Sequence, residues 1–191
     1  MKANDLPGMT GWPRYCRKAI PAYRFLPGRT PHPRRNPHGH AFGQPEPRPL
    51  PFEPAHWASS EAYLYGVDLY NGTYWWESHE VFEGLWHACG HKTEAGNFFQ
   101  ALIQFAGAHL KHALDKTAAA QNLARSGLLR LKNSPPHYMG LDTVAFADRV
   151  DVWLSQGHQS CLLIRLDGPG TIVDRLEAEE EENPDGPAPQ W

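Results

Sequence analysis

Cysteine is scarce in this chain. The three residues, Cys16, Cys89 and Cys161, are odd in number, far apart and form no Cys-x-x-Cys pair. That excludes a disulfide framework and a cysteine-based zinc site. Long apolar runs are also missing: nothing approaches the ~18 consecutive apolar residues that a membrane span needs. Residues 1–10 lack the apolar core of a signal peptide. The expected location is therefore the cytoplasm, with reduced thiols and no membrane partner. Positive charge is not in excess either, with 18 Lys and Arg against 21 Asp and Glu and a net charge of −3. Without a broad basic field, the sequence argues against a nucleic acid partner.

Proline is missing from one long stretch. Twelve of the 18 prolines precede Ala55, and none lies between Ala55 and Ser134. Proline removes a backbone donor and clashes inside a helix, so only the later stretch is free to be continuously helical. The reading divides the chain into a proline-rich basic arm over 1–54, a helical domain over 55–167 and an acidic tail over 168–191. The arm holds nine Lys or Arg and three Asp or Glu, together with Trp12, Tyr15, Tyr23, Phe25 and Phe42. Disordered segments are poor in aromatics, so the arm is expected to lie on the body. The run Glu177 to Glu182 and the prolines after it predict a largely disordered tail.

What is present is helical punctuation. A first helix is expected from Trp57 to Tyr70, stopping at Asn71-Gly72. A second starts near Thr73 as its cap and ends at Gly90; a third runs from Thr93 to Leu114 and a fourth from Lys116 to Leu131, before Pro135-Pro136. Asp142 can cap a fifth helix, which carries Val144, Ala147, Val150 and Leu154. The segment Cys161 to Leu166 reads as a strand or a helical turn. Short connections make successive helices antiparallel neighbours. The fold class is all-α, a compact antiparallel bundle of about five helices with a proline-rich N-terminal arm.

Chemistry concentrates on the second helix. On a wheel at about 100° per residue, Trp75, His79, Phe82, Glu83 and Trp86 share one side, with Trp76 at its edge and Glu80 and His87 on the adjoining flank. Aromatics bury large areas, so this side is expected to face inward, with His79 and Glu83 largely buried and paired. His109 sits within the apolar side of the third helix, and Gln100, Gln104 and Lys111 lie opposite it. If the two helices face each other, His109 approaches His79 and Glu83 and completes a polar pocket in an aromatic shell.

Three readings follow. The leading one is a small-ligand-binding domain with its polar pocket at His79 and Glu83, lined by Trp75, Trp76, Trp86, Gln100, Gln104 and His109. A second is a metal-dependent hydrolase, with His79, Glu80 and Glu83 as catalytic candidates and His79, Glu83 and His109 as ligands of one divalent metal ion. Its His-Glu-x-x-Glu pattern differs from the His-Glu-x-x-His of zinc proteases and from the Glu-x-x-His of di-iron bundles. The third is a structural or partner-binding protein whose His–Glu network only shapes the core. In the arm, His38-x-His40 offers a metal pair, but a solvated proline-rich loop is the favoured account. Arg34-Arg35 alone is a weak phosphate signal. His91, His112, His137 and His158 fit no helical face and are expected at the surface. Oligomeric state is not set by the sequence.

The stretch Asn71-Gly72-Thr73-Tyr74-Trp75-Trp76-Glu77-Ser78-His79-Glu80-Val81-Phe82-Glu83-Gly84-Leu85-Trp86, followed by Phe98-Phe99-Gln100-Ala101-Leu102-Ile103-Gln104-Phe105-Ala106, resembles the family called domain of unknown function 309. The resemblance covers about Ser60 to Leu131, and Pro21 to Gly43 is similar to N-terminal extensions of some members. It implies an all-helical fold and no particular activity. It also implies that His79, Glu80, Glu83, Trp86, Gln100 and Gln104 are the characteristic positions. Trp76 departs from the family pattern, which has a smaller residue there.

Overall fold

A computed structural model describes residues 14–156 and 161–168. Within them the chain forms α1 (Glu61–Asn71), α2 (Trp75–Cys89), α3 (Glu94–His112), α4 (Thr117–Leu131) and α5 (Thr143–Ser155). A two-residue hairpin, β1 (His137–Tyr138) and β2 (Leu141–Asp142), precedes α5. The protein is thus the all-α bundle that its proline-free stretch predicts. α3 packs on α2 and α4, and α1 packs on α2. No described helix is long and apolar enough to cross a membrane. The expected disorder of the tail concerns residues beyond 168, outside the described ones.

The caps explain where the elements stop. The first predicted helix is divided: Pro54–Ser59 is a short 3-10 turn, and Ser60, in extended conformation, caps α1 by accepting the Tyr63 N–H at 3.3 Å. Thr93 caps α3 through Gly96 N–H at 2.9 Å, and Asp142 caps α5 through Ala145 N–H at 2.9 Å. Thr73 does not cap α2; Tyr74 holds that position, without a side-chain bond. Thr73 instead adopts a left-handed φ of 67° and takes the Arg24 guanidinium on its Oγ1 at 2.6 Å. The hairpin, absent from the sequence reading, turns at Met139 and Gly140, with φ of 47° and 76°. Two successive positive φ values suit a tight hairpin turn. A Cβ on Gly140 would collide with the Trp57 ring.

Two buried carboxylates hold the proline-rich segment. Asp68 of α1 accepts the Tyr15 and Cys16 amides, each at 2.9 Å, and the Arg14 Nε–H at 3.0 Å. Glu77 of α2 accepts the Phe25 amide at 2.8 Å and pairs with His40 Nε2 at 3.0 Å. Phe25 and His32 pack on Trp76, each with ring centroids at 5.3 Å. Farther along α2, Pro49 lies against Gly84. His40 is thus neither solvated nor a free metal ligand, because Glu77 needs a partner. Burial pushes both carboxyls above their ordinary range, and the bonds from Tyr15 N–H and Arg14, and from His40, oppose that rise.

Residues 161–168 form no helix and make a single bridge, Leu141 to Leu166. Side chains supply the rest of what a strand partner would. Asn71 donates to the Ile164 carbonyl at 2.7 Å and accepts the Ile164 amide at 2.8 Å. His109 Nε2 accepts the Leu162 amide at 3.3 Å, and the Tyr15 hydroxyl accepts the Leu166 amide at 3.0 Å.

Candidate functional site

The inward stripe of α2 is Trp75, Ser78, Phe82 and Leu85. Ser78 donates to the Gly66 carbonyl at 2.9 Å, which lets α1 and α2 approach closely. A Cβ on Gly66 would lie 2.6 Å from Phe82 Cε1, so only glycine leaves room for that ring. Phe82 stacks on Phe99 and Trp75 stacks on His109. These contacts settle the orientation of the helix. His79, Glu83 and Trp86 follow Ser78, Phe82 and Leu85 by one residue each, about 100° further round.

That rotation corrects the expectation of burial. His79, Glu83 and Trp86 are half-buried, and the side chains of His79 and Glu80 retain 33% and 29% of their exposure. A wheel alone counts tryptophan as inward, but Trp76 and Trp86 are satisfied by other surfaces. Trp76 packs on Phe25 and His32, and Trp86 stacks on His91 at 3.8 Å. The deeply buried polar residues of α2 are Glu77 and Ser78. Sequence reasoning missed both. Their signal was the partner each needs, a backbone carbonyl across α1 for Ser78 and the arm for Glu77.

His79, Glu80 and Glu83 come together. One ligand atom from each lies within 4.8 Å of the others. His79 Nδ1 and Glu80 Oε1 are 3.6 Å apart, too long for a hydrogen bond. The Trp75–His109 and Phe82–Phe99 contacts set an antiparallel register that puts Gln104 at about the level of His79 and Gln100 at about the level of Glu83 along the helix pair. Both glutamines are half-buried. Three buried polar atoms in this region, His79 Nδ1, Trp86 Nε1 and Gln104 Oε1, have no hydrogen-bond partner among the described residues.

His109 stands apart. It is buried, stacked on Trp75 at 5.3 Å, edge-on to Tyr70 and Trp153, and bonded to the Leu162 amide. Its place in an antiparallel pair is beside the first turn of α2, and it is not a member of the His79 group. Because Nε2 accepts a hydrogen bond, its proton resides on Nδ1. Of the histidines expected at the surface, His91 and His137 are exposed, while His112 is half-buried against Trp153; His158 lies outside the described residues.

The class that these features define is a helical domain with a His-Glu-Glu group on one helix. Residues 63–123, from α1 into α4, match the family model described as Domain of unknown function (DUF309). Over that span the chain is similar to this family. The match spans α2 and α3 entirely and leaves out the proline-rich segment and α5. No curated protein matches the chain.

Proposed function

We propose that this domain binds a small polar ligand on the open flank of α2, and that the ligand is a divalent metal ion held by His79, Glu80 and Glu83. The observation that carries the reading is the convergence of their three ligand atoms within 4.8 Å. Ligands of one ion at about 2.0–2.2 Å lie no more than about 4.4 Å apart, so small side-chain rotations close the group. One imidazole and two carboxylates suit Zn²⁺ or Mn²⁺ better than a soft ion. Partial exposure keeps the charged carboxylates solvated and leaves the ion coordination positions open to water. Trp86, one turn after Glu83 on the same helix, has an Nε1–H without a hydrogen-bond partner among the described residues and would supply a donor for a larger ligand.

The test is calorimetric titration of the untagged, chelator-treated full chain with Zn²⁺ and Mn²⁺. Glu83→Gln keeps the shape and removes one charged ligand. It is expected to weaken binding by at least about 10-fold, the scale seen even for groups that only support metal ligands. Wild-type affinity in Glu83→Gln and in His79→Ala would overturn the reading.

A further inference from the structure

The C-terminal end of α2 carries a second arrangement of ligand type, which does not depend on the first. His87 lies in the last turn of α2, and Gly90, at φ 90°, turns the chain so that His91 folds back. His87 Nδ1 and His91 Nε2 come to 2.8 Å of each other. Trp86 lies against His91 with ring centroids at 3.8 Å and an interplanar angle of 14°, holding that imidazole flat. Both histidines are exposed.

A hydrogen bond between two imidazoles needs one N–H and one lone pair, so neither ring has to be charged. The nitrogen separation has a second meaning. Two nitrogens bound to one ion at about 2.0–2.1 Å lie about 2.9 Å apart at a right angle and about 3.4 Å apart in a tetrahedron. The spacing here is that of a hydrogen bond and equals the right-angle value, so a modest turn of both rings would converge their lone pairs on one ion, as in the tetragonal nitrogen and oxygen sites that hold Cu(II) or Ni(II). Among divalent first-row ions copper binds such donors most strongly.

We propose that His87 and His91 form a two-imidazole site for Cu²⁺, with Trp86 as the platform that presets the ring of His91. On binding, the ring that donates the hydrogen bond moves its proton to its outward nitrogen, Nε2 of His87 or Nδ1 of His91. Both facing lone pairs then go to the ion, and no net proton is released. Water takes the remaining positions.

The experiment is a Cu²⁺ titration of the untagged full chain followed by electron paramagnetic resonance. The Glu83→Gln variant is run beside wild type, because it removes a ligand of the other group and leaves this pair intact. The expected result is one equivalent of copper with the signature of two bound imidazoles in both proteins, whatever further copper the His79 group of the wild type takes up. His87→Ala and His91→Ala should each abolish the two-imidazole pattern and weaken binding by at least about 10-fold. The exposed His137→Ala should change neither. Both histidines are at the surface, so circular dichroism should show the variants folded. A two-imidazole signal that persists in the His87→Ala/His91→Ala double variant would overturn the proposal. So would its absence from the wild-type protein.

Discussion

Removing the His40 imidazole while Glu77 stays in place isolates the cost of leaving a buried carboxylate without its partner. Glu77 is 5% exposed and His40 13%. In His40→Ala the carboxylate keeps the Phe25 amide on Oε1, while Oε2 has no hydrogen-bond partner among the described residues even in the intact protein. Loss of one bond to a charged, buried group costs about 1–3 kcal/mol. A ceiling exists, because Glu77 can instead take up a proton. The ordinary carboxyl value is 4.5. At pH 7 protonation therefore costs about 3.4 kcal/mol, and at pH 6 about 2 kcal/mol, at 1.36 kcal/mol per pH unit. Burial raises the folded-state pKa of Glu77 above the unfolded one. Such a group stabilises the fold fully below the unfolded value and loses that contribution as pH rises through the folded value. The damage in His40→Ala should thus shrink on acidification. Thermal melts at both pH values test this. At roughly 2–4 °C per kcal/mol for a chain of this size, the pH 7 loss should be several degrees and no more than roughly 14 °C. The His40→Ala/Glu77→Gln double variant, with no charge to strand, should melt above His40→Ala. A loss below about 1 °C at pH 7, or one that grows as pH falls, would refute the reasoning.

Asn71→Ala should strand both the amide and the carbonyl of Ile164, costing about 1–3 kcal/mol. Hydrogen exchange should show the Ile164 amide losing protection while amides in the middle of α3 keep theirs. Gly140→Ala should lower the melting temperature by several degrees, because its Cβ meets the Trp57 ring and its φ is 76°; the same change at Gly43, with a positive φ but open space around it, should cost less.

The helices were legible because their limits are written in residue chemistry that acts locally. The Asn71-Gly72 stop, the Thr93 and Asp142 caps and the Pro135-Pro136 break all act within a few residues. The orientation of α2 was not legible in the same way. Its wheel holds aromatics on nearly every side, and only the contacts with α1, α3 and the proline-rich segment decide which of them face inward. Gly66 held the clue, since a glycine in mid-helix marks a close approach, but not by which partner. His79, Glu80 and Glu83 could be picked out as ligand types at helical spacing. Their partial exposure, and the separation of His109, depend on packing that spacing does not encode. The hairpin escaped because its strands are two residues long and Met139 carries no turn signature.

The segment 161–168 is fastened by side chains from three distant parts of the chain, and the Tyr15–Leu166 bond joins residues 151 positions apart. The bundle beneath it is made of helices that meet their sequence neighbours. Local contacts form quickly, whereas distant ones must first overcome the entropy of loop closure. The fastening is therefore expected to close after the rate-determining step of folding, so that Asn71→Ala should speed unfolding in stopped-flow measurements and leave the folding rate almost unchanged. Interactions formed that late leave the folding rate almost untouched and govern the rate of unfolding. On this expectation Asn71, His109 and Tyr15 form a kinetic clasp that sets how long the assembled molecule lasts, while the helices set how soon it forms.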